Sequence, residues 1–202
     1  MTSEMNNDDD ALEPDSPEDN QFLSDEWTSD AGALIEVSID PSSWHTPLIE
    51  DLQKRGPVML DHMASRLSLD PQTVSLLLCN DGDMRSMNFL YRGFDKSTNV
   101  LSFPAGDDLY RGDDMPEMDG GIGDIAIAGE TVMREAAEAG IPAGDHLLHL
   151  FTHGVLHLLG YDHIDDQMAD EMEALEIALL GQMKIANPYL DDGLGLGTRE
   201  AG

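Results

Sequence analysis

Apolar and polar side chains alternate along Ala33-Leu34-Ile35-Glu36-Val37-Ser38-Ile39, which predicts a first strand. From Pro47 to Leu69 the apolar spacing turns helical, and Pro57 predicts a break or kink inside that helix. Thr73 to Cys79 reads as a second strand. Asn80-Asp81-Gly82-Asp83 then reads as a turn, or as the cap of a helix running to about Arg92. Asn99 to Phe103 is a third strand, ended by Pro104, and residues 105–121, rich in Gly, Asp and Met, form a loop. Ile122 to Ala128 is a fourth strand; Ile122, Ile125 and Ile127 do not share one parity, so it is expected to be buried on both faces. The rest is helical: Glu130 to Ala139, stopped by Gly140 and Pro142; Asp145 to Leu159, strongly apolar and stopped by Gly160; and about Asp165 to Met183. The order β-α-β-α-β-β-α-α-α predicts a single α+β domain, a small mixed four-stranded sheet packed by helices.

The ends read differently. Asn6-Asn7-Asp8-Asp9-Asp10 and the Glu-Pro-Asp-Ser-Pro-Glu-Asp stretch are poor in apolar residues and carry one sign of charge, so residues 1–32 are expected to be a disordered acidic tail. The domain is placed at 33–188, and residues 189–202, with their Gly-Leu-Gly-Leu-Gly run, are read as a flexible tail. There is no run of 18 apolar residues and no apolar leader at the N-terminus, so neither a membrane span nor a secretory signal is expected. Cys79 is the single cysteine; no intrachain disulfide can form, which fits a cytoplasmic protein.

The formal net charge of -31 makes the chain soluble and repels polyanions at long range. Residues 1–53 hold no Lys or Arg, the first base being Lys54. Charge alone therefore argues against nucleic acid as a partner.

One stretch of chemistry points the other way: His153-Gly154-Val155-Leu156-His157-Leu158-Leu159-Gly160-Tyr161-Asp162-His163. His153 and His157 are four apart, so a helix presents both imidazoles on one face. Gly160 can take positive φ and turn the chain back, letting His163 approach the same metal from the following loop. Three neutral imidazoles with an open fourth position describe a catalytic zinc site, since structural sites are closed by four protein ligands. Leu156, Leu158 and Leu159 would wall the metal from water. His146 and His149, one and two turns earlier, would either support the ligands or help the helix pack, and Met168 and Met172 read as core. Asp162, Asp165 or Asp166 could orient a ligand imidazole, Asp165 equally capping the last helix. The metalloprotease motif H-E-x-x-H takes its general base from the Glu, and here that position is Gly154.

The same stretch resembles the signature of the YbeY family of bacterial endoribonucleases. Met87-Asn88-Phe89-Leu90-Tyr91-Arg92-Gly93-Phe94-Asp95-Lys96-Ser97-Thr98-Asn99-Val100-Leu101-Ser102-Phe103-Pro104 is similar to a second family block, and Gly123-Asp124-Ile125 to a third, in the family's order and spacing over about residues 33–188. Ser97 stands where the family commonly has proline, and the acidic extension before the domain has no counterpart in the pattern. The resemblance implies an α+β fold, one zinc ion at His153, His157 and His163, and a functional arginine at Arg92. It also implies single-strand-preferring cleavage of RNA in ribosomal RNA maturation, at the 3′ end of the small-subunit RNA, and in ribosome quality control. RNA and the small ribosomal subunit are then the expected partners, with a ribosomal protein or an assembly GTPase as further ones, and neither membrane nor DNA.

Arg92 also makes sense on its own. Bases number ten in 202 residues, and Arg85, Arg92 and Lys96 fall close together just before a strand. A guanidinium forks onto phosphate through two parallel hydrogen bonds, and a phosphoryl transition state needs such charge. The plainer alternative is an ion pair with Asp95, Asp107 or Asp108. Two other functions stay open: a metallohydrolase of another class, such as a peptidase, and a non-catalytic assembly factor whose zinc only holds the C-terminal helices.

Overall fold

A computed structural model of the protein describes residues 22–106 and 121–190. Most of the expected acidic tail, most of the predicted 105–121 loop and most of the C-terminal tail lie outside these residues.

The chain order is β1 (Leu23–Thr28), β2 (Leu34–Ile39), α1 (Thr46–Leu67), β3 (Thr73–Cys79), α2 (Asp81–Arg92), β4 (Val100–Pro104), β5 (Gly123–Ala128), α3 (Gly129–Ala139), α4 (Ala143–Leu158) and α5 (Asp166–Gln182). The class is α+β, as the sequence predicts, but the sheet has five strands rather than four, ordered β1-β2-β3-β5-β4. β2, β3 and β5 run parallel, and β1 and β4 are antiparallel edges.

The extra strand corrects the domain boundary. β1 lies inside the segment read as tail and pairs with β2 from Leu23↔Ile39 to Thr28↔Leu34. Its sequence hides it, because an edge strand needs only one buried side chain here: Trp27, 2% exposed, with Nε1 donating to Asp25 at 2.8 Å. The acidic Asp25 and Glu26 suit an edge that must not pair with another chain. Trp27→Ala should therefore cost about 3–5 kcal/mol, the range for truncating a buried aromatic. Denaturant melts would show it, and an unchanged midpoint would put the boundary back near Ala33.

The sheet separates two apolar layers. Ile35, Val37, Ile39, Val74, Leu76, Leu78, Ile125 and Ile127 meet the apolar faces of α1, α4 and α5 on one side. Cys79, Leu101, Ala126 and Ala128 meet Met84 and Met87 of α2 on the other. β5, sandwiched between both layers, is buried on both faces as its sequence parity predicts. Beyond α2, the second face opens into a cleft of about 720 Å³ whose lining includes Glu26, Glu36 and Asp124.

Of the break or kink expected at Pro57, the break is absent, since α1 runs through that residue as one helix. The missing backbone hydrogen bond is outweighed by burial: Leu52, Gly56, Pro57, Met59, Leu60 and Met63 all face the interior. Asn80 caps α2 by accepting from the Asp83 amide at 2.8 Å and donates Nδ2 to buried Asp40 at 2.8 Å, fixing α2 to the end of β2.

Candidate metal centre

α4 lies across β4 and β5, and Gly154 is what brings it close. A Cβ there would stand 3.1 Å from Ile125 Cδ1 and 3.2 Å from Ser102 Oγ. The position that carries the general base in H-E-x-x-H proteases thus faces the sheet, with no room for a glutamate. With Gly154 inward, His153 and His157 emerge one turn apart near the C-terminal end of α4. Gly160 follows at φ +88°, a left-handed turn that favours glycine, and returns the chain so that His163 meets them.

The three histidines converge. One ring nitrogen from each lies within 4.8 Å of the others, and no fourth His, Cys, Asp or Glu joins the group among the described residues. The Nε2 atoms of His153 and His157 are 3.0 Å apart. Two nitrogens bound tetrahedrally at ~2.0–2.1 Å from one zinc would stand about 3.3–3.4 Å apart, so a shift of a few tenths of an ångström admits the ion. The rings of His157 and His163 are 5.1 Å apart at 74°, and those of His153 and His163 are 5.7 Å apart at 24°.

The protonation pattern suits ligation. Burial, reinforced by neighbouring His153 and His163, pushes His157 down to about 4, so its imidazole is neutral at pH 7. Nδ1 of His153 meets Glu176 Oε1 at 2.7 Å. The carboxylate accepts Nδ1–H, which leaves the Nε2 lone pair of His153 directed at the shared centre.

Glu176 is the functional residue that sequence reasoning missed, having assigned the orienting role to Asp162, Asp165 or Asp166. Asp162 instead accepts from the backbone amide of His163 at 2.7 Å, and Asp165 caps α5 by accepting from the Met168 amide at 2.9 Å. Glu176 is fully buried. Burial alone would raise its carboxyl, but the hydrogen bond from His153 and the nearby His149 imidazole outweigh it and hold the group at about 2. Tyr189 donates its hydroxyl to the other oxygen of Glu176, so a residue assigned to the flexible tail closes over the site. Burial first, then the charge of Glu176, raises the Tyr189 phenol. The available signal was positional: Glu176 sits in the buried stripe Met172, Leu175, Leu179 and Leu180 of α5, where an ionised side chain needs a partner. Met172 is core as expected, whereas Met168 is 37% exposed.

His146 and His149 part company. His146 Nε2 bonds Glu135 of α3 at 2.8 Å, which makes it a packing residue. His149 lies 3.7 Å from Glu176 and packs edge-on against Tyr189, within the polar shell behind His153.

Glu176→Gln tests this shell. Two donors, His153 Nδ1–H and the Tyr189 hydroxyl, converge on two carboxylate oxygens, and an amide replaces one acceptor by a donor. Metal affinity should fall about 10–100-fold, as for other outer partners of ligating histidines, with the melting curve read alongside. Unchanged affinity in competition with a chelator would mean that Glu176 serves packing alone.

Arg92 is the last residue of α2 and is exposed. The Tyr91 ring packs edge-on against Phe103 of β4 at 5.0 Å. On the other side of that strand end, a Cβ on Gly123 would touch both the Phe103 carbonyl and Leu158, the residue after His157. The C-terminal ends of α2 and α4 thus flank the same end of the edge strand β4. Arg92 has no ion-pair or hydrogen-bond partner among the described residues. Asp95, its first expected partner, pairs with Arg85 through two bonds of 2.7 and 2.9 Å; Asp107 and Asp108 lie outside the described residues.

Fold and site together define an α+β protein with a three-histidine centre able to hold one metal ion. Comparison with known proteins narrows this: the sequence model of the family described as Endoribonuclease YbeY matches residues 42–184, and the chain belongs to that family. A Rhodospirillum rubrum protein named Endoribonuclease YbeY is 52% identical over 124 residues, 60% of this chain and 60% of that protein. One of the same name from Dinoroseobacter shibae is 40% identical over 172 residues, 79% of this chain and 92% of the relative. A solution structure from Thermotoga maritima aligns with a TM-score of 0.44 at 24% identity, over 69% of this chain and 85% of that one.

Proposed function

We propose that the protein is a zinc-dependent endoribonuclease that prefers single-stranded RNA and acts in the cytoplasm, in maturation of the small-subunit ribosomal RNA 3′ end and in ribosome quality control. The observation that carries this reading is the convergence of His153, His157 and His163 in a member of the Endoribonuclease YbeY family. Three imidazoles without a fourth protein ligand among the described residues match the donor set of a catalytic zinc. Held there, zinc supplies Lewis-acid stabilisation of a phosphate oxygen, an activated water, or both.

The chain's own residues do the rest. Glu176 keeps His153 in one tautomer and one orientation. Arg92 offers a planar fork to a non-bridging phosphate oxygen pair and stabilises the charge that develops there, whether the nucleophile is water or a ribose 2′-hydroxyl. Leu156 and Leu158, both buried, exclude water from the sheet side of the site.

The peptidase alternative is disfavoured by Gly154, which stands where H-E-x-x-H proteases carry their general base and is packed against Ile125 and Ser102. Purified protein should cut a defined single-stranded RNA and leave a peptide of similar length intact. Zinc-dependent peptide hydrolysis without RNA cleavage would reverse that assignment, and binding to ribosomal particles with neither activity would favour the assembly factor.

A further inference from the structure

The exposed face of α2 carries a stripe that the metal centre does not use. Arg85, Phe89 and Arg92 recur at i, i+4 and i+7, so they line one side of the helix, while Met84 and Asn88 face inward. Phe89 is 60% exposed and Leu90 is 73% exposed. The segment after the helix folds back beside this stripe and adds Phe94, 51% exposed. Its position is built: Gly93 takes φ +76°, Asn88 Nδ2 donates to the Lys96 carbonyl at 2.8 Å, and Arg85 clasps Asp95 with two hydrogen bonds. Two large rings are thus held in water by specific contacts.

The surrounding charge says what they meet. Three of the ten Lys and Arg residues of this acidic chain, Arg85, Arg92 and Lys96, fall within this short segment. The neighbouring cleft on the same sheet face is lined by Glu26, Glu36 and Asp124 and repels a polyanion. Arg85 is taken up by Asp95, which leaves the exposed Arg92 guanidinium, without a partner among the described residues, at the end of the stripe. Rings next to such a cation match an unpaired nucleic-acid strand, whose bases stack on aromatic faces while a phosphate meets the guanidinium. A duplex keeps its bases stacked inside and offers the rings nothing comparable.

We propose that Phe89 and Phe94 form a base-stacking platform that seats unpaired nucleotides next to the one whose phosphate Arg92 contacts. The proposal rests on the ribonuclease reading and names the residues that set its preference for single strands. Phosphate at Arg92 and bases on the rings place the strand along α2, entering the histidine centre past the end of β4.

The test uses zinc-loaded full-length protein, Phe89→Leu and Phe94→Leu singly and together, and one RNA as a single strand, a duplex and a single strand with abasic sites. Leucine keeps exposed apolar bulk and removes the ring, so zinc content and melting should stay at the wild-type values. Each substitution should weaken single-strand binding by about 5- to 150-fold, the loss visible in Kd and KM, with duplex binding little changed. Abasic RNA should bind wild type as weakly as intact RNA binds the double variant, and the double variant should lose nothing more on it. Wild-type affinity in the double variant, or an equal loss for single strand and duplex, overturns the platform while leaving the ribonuclease reading intact. Failure of wild type to bind or cut any RNA overturns both.

Discussion

Replacing His157 with alanine should remove the metal and the RNA cleavage together. Its Nε2 stands 3.0 Å from that of His153, and its neutral ring is one of three donors in the group among the described residues. The loss should exceed the about 10–100-fold that removing an outer partner costs, because a donor itself is gone. Elemental analysis of protein purified without an affinity tag should fall from close to one zinc per chain to well below it. Full zinc retention in the variant would dissolve the proposed ligand set.

Arg92→Ala should fail in a different way. Arg92 has no structural partner among the described residues and lies at the exposed end of α2, so the fold and the metal should survive its loss. Cleavage should nevertheless slow by about 10²–10³, the equivalent of roughly 2.7–4 kcal/mol for one well-placed donor to developing charge. Arg92→Lys should recover only part of the rate, since an ammonium cannot form the two-pronged contact. Variants prepared identically, a denatured control and one defined RNA exclude contaminating nucleases. Equal rates in wild type and Arg92→Ala would remove the arginine from the chemistry.

The histidine set was readable because its geometry is local: i, i+4 spacing plus a glycine turn places all three donors within eleven residues. β3 was readable residue for residue, since Thr73–Cys79 supplies an apolar run of strand length between turn signals. β1 was not, because its stability comes from pairing with β2 and from Trp27 alone, and five of its six residues face solvent like those of a tail. Glu176 was not readable either. It is one of 41 acidic residues, and its meaning depends on a histidine 23 positions away that only the packing of α5 on α4 brings within reach. Pro57 does not end α1 for the related reason that tertiary burial overrides a local breaker. Local spacing thus carried the three converging histidines, and long-range contact carried the carboxylate that meets His153.

The most direct test of a catalytic three-histidine centre is single-stranded RNA cleavage by one preparation before metal removal, after chelation and after addition of one equivalent of zinc, with circular dichroism recorded at each stage. Cleavage should vanish on chelation and return with zinc while the α+β spectrum is largely kept. Undiminished cleavage by the stripped protein, or unfolding on stripping, would contradict a catalytic metal at His153, His157 and His163.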